Sequence, residues 1–173
     1  FGVFGKKEMQ MKWTLQAAKD EPMEEVFALY EKRVEWMKQR GLRQWDAGYL
    51  AAYPLSYYQM QRDAGRLYLL KDAEGRLVGA AVLLSRDGRW PGGDRVSACY
   101  VHNLVTDPDK RGAGRELLRQ AEELARARGL KWMRLDCGEG SAFLNDYYEK
   151  MGYIAVGKCR EAEYRGVRRE KRL

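Results

Sequence analysis

The sequence predicts an α/β domain whose core is a mixed, mostly antiparallel sheet of about seven strands with helices on both faces. Three observations predict it. Apolar residues recur at helical spacing through residues 23–40, then at strand spacing from residue 66 onward. Two strand-like runs, 66–71 and 76–85, are joined by Asp72-Ala73-Glu74-Gly75, the composition of a hairpin turn. A single strand–helix–strand unit, 95–137, then supplies one parallel crossover in an otherwise antiparallel meander.

Taken in order, residues 11–18 alternate well enough for a first strand. Asp20-Glu21-Pro22 reads as a helix start, with Asp20 a cap candidate and proline in the first turn. Met23, Val26, Phe27, Tyr30, Val34 and Met37 carry that helix to about Arg40, and Gly41 ends it. Residues 42–52 read as an irregular aromatic stretch, and a second helix follows Pro54 to Ala64. After the hairpin, Asp87-Gly88 and Pro91-Gly92-Gly93 mark another reversal, and 95–106 is a long strand. Residues 107–113 form a loop. Residues 114–128 form a helix with Leu117, Leu118, Ala121, Leu124 and Ala125 on one stripe. A strand at 130–137, a short helix at 141–151 and two strands at 153–160 and 164–173 complete the order β-α-α-β-β-β-α-β-α-β-β.

A chain of 173 residues suits one domain, read as 11–173, with 1–10 an N-terminal extension or expression remnant. No apolar run approaches the roughly 20 residues of a membrane span, so no membrane partner is expected. Cys99, Cys137 and Cys159 are odd in number and widely spaced, which points to reduced thiols and a cytoplasmic location. The net charge of +7 favours anionic partners. Lys110, Arg111 and Arg115 surround a glycine pair in the manner of a phosphate site. Arg160, Arg165, Arg168, Arg169, Lys171 and Arg172 read as an ordinary exposed end strand and tail.

The segment Val101-His102-Asn103-Leu104-Val105-Thr106-Asp107-Pro108-Asp109-Lys110-Arg111-Gly112-Ala113-Gly114-Arg115 ends a strand, turns on two glycines and begins a helix. Unpaired N–H groups at a helix start carry partial positive charge, and three cations beside them suit a pyrophosphate or 3′-phosphate. A Walker loop is excluded, because Gly-Lys-Ser/Thr is absent. A dinucleotide fingerprint is a closer rival, since Asp136 ends the next strand. It fails on Leu117 at the third glycine position and on the five-residue spacer before Gly112.

Leu104-x-Thr106-x-Pro108 followed by Arg111-Gly112-Ala113-Gly114-Arg115-x-Leu117-Leu118 resembles the coenzyme loop of the GCN5-related N-acetyltransferase (GNAT) family. The loop is two residues short. Either Gly112 and Gly114 are the family glycines and Asp109 takes the Arg/Gln place, or Arg111 takes it, Gly114 is the first glycine and Glu116 replaces the second. A second segment, Ser141 to Tyr153, is similar to the family's Asn-x-x-Ala-x-x-x-Tyr-Glu-Lys-x-Gly-Phe, with Ser141 for the asparagine and Tyr148 on the tyrosine. The resemblance implies the GNAT fold and direct acetyl transfer from acetyl-CoA to a primary amine of a small molecule. It implies cofactor contacts at Leu104, Val105, Thr106, Lys110, Arg111, Gly112, Ala113, Gly114, Arg115 and Ser141. A backbone N–H near Leu104 or Val105 would polarise the thioester carbonyl.

By the same resemblance Tyr148 is the general acid, since a phenol holds its proton at neutral pH. Packing of Leu144, Tyr147, Tyr148 and Met151 on the core is its alternative. His102, the single histidine, shares a strand face with Tyr100, Leu104 and Thr106 by the two-residue period. It occupies a place similar to a histidine of the arylalkylamine acetyltransferase branch, which makes it the base candidate. A hydrogen-bonded structural histidine is the alternative. Cys137 reads as a buried thiol rather than a nucleophile. No metal is expected, because Cys99 and His102 leave opposite strand faces and no other pair has ligand spacing. Trp36, Trp45, Tyr49, Tyr53, Tyr57 and Tyr58 suffice to line an amine pocket, with Trp45 singled out. A non-catalytic acyl-CoA sensor would keep the loop cations without needing Tyr148. A nucleic-acid partner is not expected, because the basic cluster lacks interleaved aromatics. A homodimer is left open.

Overall fold

The protein is described by a computed structural model covering residues 12–42, 45–92 and 96–173. The expected extension at 1–10 and Met11 lie outside the described residues. The elements are β1 (Trp13–Ala17), α1 (Met23–Gln39), α2 (Ala47–Ala52), α3 (Leu55–Asp63), β2 (Leu67–Asp72), β3 (Leu77–Leu84), β4 (Ala98–Thr106), α4 (Ala113–Ala127), β5 (Trp132–Gly138), α5 (Ala142–Lys150), β6 (Ile154–Glu161) and β7 (Tyr164–Arg172). Seven strands form one sheet in the order β1-β2-β3-β4-β5-β7-β6. Every neighbouring pair is antiparallel except β4–β5. That exception is the crossover through α4, which the sequence order requires.

Two apolar layers hold the helices. On one face, α4 buries Ala113, Leu117, Leu118, Ala121 and Ala125 against Val78, Leu83, Val101, Met133 and Leu135, and α5 adds Tyr148. On the other, α1 and α3 bury Met23, Val26, Leu29, Tyr30 and Tyr58 against Leu67, Leu69, Ala80, Val82 and Val105. Helix α4 is also tied to the edge of the sheet, where the Gln120 amide donates to Trp13 O and accepts from Leu15 N–H. Such a bond inside an apolar layer fixes the helix axially, where packing alone would let it slide.

Three expectations are corrected here. The stretch read as irregular, 42–52, contains α2, whose first turn is capped by the Asp46 side chain accepting from Tyr49 N–H. Six residues are too few for a periodic signal, so the capping residue was the available cue. Helix α1 takes Pro22, not Asp20, as its N-cap, with extended backbone and no side-chain bond. The C-terminal arginines are not uniformly solvent-facing. Arg169 is only 6% exposed and donates to Tyr153 O and Asn145 Oδ1. No helix among the described residues is long and apolar enough to cross a membrane.

Candidate active site

The site begins with a separation of strands. β4 and β5 pair only at Ala98↔Trp132, Cys99↔Met133 and Tyr100↔Arg134. Beyond Tyr100 the two strands run on without bonding each other, to Thr106 and Gly138, leaving a slot through the sheet. The cause lies in β4. Against β3, Val82 faces His102 and Ala80 faces Val105, so Asn103 and Leu104 together oppose Ala81. This is a β-bulge, and Asn103 sits in the left-handed region at φ +52. Bulges bend the strand and increase its twist.

The extra residue also resets which way side chains point. Cys99, Val101 and then Leu104 pack in the α4/α5 layer, while Val105 packs under α1. His102 and Leu104 therefore lie on opposite faces, which corrects the two-residue alternation expected of an unbroken strand. Backbone direction follows too. Asp107 N–H donates to Val78 O on β3, so by alternation Leu104 and Thr106 turn their N–H groups away from β3, toward the slot.

At the slot's mouth stands the glycine turn. Gly112 is the α4 N-cap at φ +86, a left-handed position that costs glycine nothing. Among the described residues, the N–H groups of Arg111, Gly112, Gly114 and Arg115 have no backbone acceptor, whereas Ala113 N–H reaches Lys110 O and Glu116 N–H reaches Gly112 O. A Cβ on Gly114 would stand 3.0 Å from the Tyr147 hydroxyl. The positive φ favours glycine at Gly112, and at Gly114 an added Cβ would crowd the Tyr147 hydroxyl. Asp109 pairs with Lys32 at 3.0 Å, as Asp107 does at 2.9 Å. Lys110, Arg111 and Arg115 are exposed and make no ion pair among the described residues. Unpaired N–H groups, two glycines and uncommitted cations fit a pyrophosphate. Thr106 turns its carbonyl and hydroxyl to Arg33, at 2.6 and 3.1 Å. Ser141 caps α5, accepting from Leu144 N–H.

Tyr148 lies on the α4/α5 face with Leu104, at the edge of Cys137. It is 8% exposed, and its hydroxyl bonds to no protein group among the described residues. Burial, and after it the neighbouring Cys137 and Tyr147, push its phenol well above the ordinary value.

His102 opens onto the other face. Its Nε2 lies 2.7 Å from Asp87 Oδ2, in the turn after β3. Burial alone would raise the Asp87 carboxyl, but the bond to His102 and the Arg89 backbone N–H hold it below the usual carboxylate range. Asp136 of β5 completes the group: ligand-type atoms of Asp87, His102 and Asp136 lie within 4.8 Å of one another. No sequence spacing displayed that convergence, since three separate elements supply it. Its charge is already engaged. Tyr164 OH donates to Asp136 Oδ2 at 2.5 Å, and Arg89 lies 3.5 Å from Asp136 and 2.5 Å from Glu161.

Around this group runs an aromatic wall. Trp45 stacks on Tyr49 with centroids 4.2 Å apart, and Tyr53 and Tyr57 continue the series. Two expected members leave it. Tyr58 is fully buried in the core, and Trp36 lies between the guanidinium groups of Arg33 and Arg40. Two surface recesses, of about 340 Å³ beside Glu21 and Lys71 and about 260 Å³ between Trp36 and Pro108, are not lined by slot residues.

Sequence reasoning missed Asp87, Arg89, Asn103 and Tyr164. Asp87 and Tyr164 carried only turn and strand signals. Asn103 did carry one, because asparagine is the residue, after glycine, that most readily takes positive φ inside a strand.

A slot between diverging parallel strands, with unpaired N–H groups and exposed cations at one helix start, is the frame of the site. The acetyltransferase (GNAT) family model matches residues 26–153, and the chain belongs to that family. It is 27% identical to the uncharacterised N-acetyltransferase YesJ of Bacillus subtilis over 144 residues, 79% of each chain. Over 83 residues, 47% of this chain and 53% of the other, it is 35% identical to the glucosamine 6-phosphate N-acetyltransferase of Trypanosoma brucei brucei. A GNAT-family acetyltransferase from Listeria monocytogenes superposes with a TM-score of 0.78 at 20% identity, covering 93% of this chain and 95% of that one.

Proposed function

We propose that the protein transfers the acetyl group of acetyl-CoA to a primary amine of a small molecule, the two substrates meeting in the β4–β5 slot from opposite faces. The observation that carries this reading is the distribution of groups about the slot: cradle and Tyr148 on one side, His102 and Asp87 on the other. A solved coenzyme A complex of the Thermoplasma acidophilum PaiA N-acetyltransferase has the same fold, with a TM-score of 0.70 at 14% identity over 94% of this chain and all of that one.

In this reading Gly112, Gly114 and Arg115 present N–H groups to the pyrophosphate, and Lys110, Arg111 and Arg115 offset its charge. Acetyl-CoA, when bound, supplies the acetyl group as a thioester. Leu104 N–H donates to the carbonyl oxygen as negative charge develops there. His102 takes a proton from the incoming ammonium, directly or through a water, and Asp87 orients its ring and stabilises the imidazolium. Tyr148 donates a hydrogen bond to the departing sulfur. With its phenol raised by burial, it remains a neutral donor across the working pH range. Trp45 and the tyrosines after it hold the apolar part of the amine.

A panel of amines assayed for thiol release from acetyl-CoA tests the proposal. At least one acceptor should be acetylated by the wild type, and about tenfold or more slowly by Tyr148→Phe that still binds the cofactor. Cofactor binding with no transfer to any amine would leave a sensor, not an enzyme.

A further inference from the structure

Asn103 is held at three points by three helices. Tyr30 of α1 donates its hydroxyl to Asn103 O at 2.6 Å. Tyr57 of α3 donates to Asn103 Oδ1 at 2.7 Å. Asn103 Nδ2 in turn donates to the Tyr49 hydroxyl of α2 at 2.8 Å. Every polar atom of the side chain is used, together with the main-chain carbonyl. Burial raises all three phenols, Tyr57 to about 12, so each keeps its proton at neutral pH.

Packing does not require this arrangement. Val82 and Val105 cover the same face with ordinary apolar side chains. Three hydroxyls converging on one left-handed residue instead over-determine a backbone conformation that would otherwise relax. What they fix is a particular peptide plane. The Asn103 carbonyl and the Leu104 N–H belong to one planar trans unit, so they point in opposite directions. Pinning the carbonyl to Tyr30 on the α1 side aims the Leu104 N–H away from α1. The β3 ladder independently turns that N–H away from β3, and β5 has already withdrawn from it.

We propose that Asn103, clamped by Tyr30, Tyr49 and Tyr57, is a positioning residue for acetyl transfer, fixing the peptide plane whose Leu104 N–H polarises the thioester carbonyl. The clamp also links the helices that bear the aromatic wall to the donor that meets the cofactor. This rests on the reading that acetyl-CoA occupies the slot.

Isotope-edited infrared spectroscopy of carbonyl-labelled acetyl-CoA tests it without any acceptor amine. Bound to the wild type, the thioester band should fall below its position in free cofactor. Asn103→Gly keeps the left-handed backbone but deletes both side-chain bonds, and Tyr30→Phe deletes the bond to the carbonyl. Each should lose at least half of that displacement, with the cofactor dissociation constant, by calorimetry, unchanged within about threefold. Should Tyr30→Phe, altered at a fully buried site, fail to fold, Asn103→Gly decides alone. Cofactor uptake with the wild-type band in the variants overturns the positioning role and leaves the cofactor reading intact. No uptake by the wild type overturns both.

Discussion

Asp87 Oδ2 and His102 Nε2 lie 2.7 Å apart, on the face of the sheet opposite Tyr148. The two residues are fifteen apart in sequence and meet because β3 and β4 fold back on each other. In the reaction proposed above, the pair would separate proton uptake, at the amine, from hydrogen-bond donation, at the sulfur. His102→Gln should lower kcat by about 100-fold, the usual size of a lost base. Asp87→Asn should lower it less, by about tenfold, because the base stays while its orientation loosens. Steady-state thiol release with the best amine of the panel checks both, with the Michaelis constant for acetyl-CoA unchanged.

The same carboxylate makes a prediction about acid stability. The folded Asp87 carboxyl is held below its unfolded value, near 3.9 for a free aspartate. Its contribution is therefore present above about pH 4 and lost as pH falls through the lower folded value. Asp87→Asn should be less stable than the wild type at pH 6 to 7, with the difference closing below about pH 4. Thermal melts over that range test the sign; a gap that widened toward acid would contradict it.

Tyr148→Phe separates chemistry from packing. Its hydroxyl makes no protein hydrogen bond among the described residues, and the ring stays buried in either variant. Stability should change by no more than about 0.5 kcal/mol. The rate of acetyl transfer should fall by about tenfold or more.

Arg111→Ala combined with Arg115→Ala should weaken acetyl-CoA binding by about tenfold or more, and flatten its dependence on salt. Both side chains are exposed and unpaired among the described residues, so the melting temperature should hold. Unchanged affinity by calorimetry would remove both cations from the cofactor site.

The two loop glycines should respond differently. Gly112→Ala meets open space but places alanine at φ +86, which costs about 1 kcal/mol of stability. Gly114→Ala lies in α4, where alanine favours the helix by about 1 kcal/mol, but its methyl meets the Tyr147 hydroxyl. Gly114→Ala should hold the melting temperature and weaken cofactor binding; Gly112→Ala should lower the melting temperature.

The legible parts of the molecule were those written in local spacing. The stripe Leu117, Leu118, Ala121 and Ala125 named α4, and Gly112-Ala113-Gly114 named the turn that starts it. Short α2 fell below the length at which periodicity speaks. The partnership of Asp87, His102 and Asp136 depends on which strands become neighbours, so no single stretch contains it. Asn103 was the instructive miss. Strand alternation was carried through it to Leu104, and one asparagine at positive φ was enough to invert the outcome.

That inversion bears on how this strand tolerates change. Removing one residue from the bulge would leave a single residue opposite Ala81 while Val105 stays on Ala80, so the change falls on the bulge itself, on the bend that withdraws β4 from β5 and on the peptide plane that Asn103 holds. Many single substitutions there are survivable by comparison. In this stretch the number of residues is a stricter specification than their identity, so a one-codon deletion should abolish cofactor uptake where a conservative replacement only dulls it.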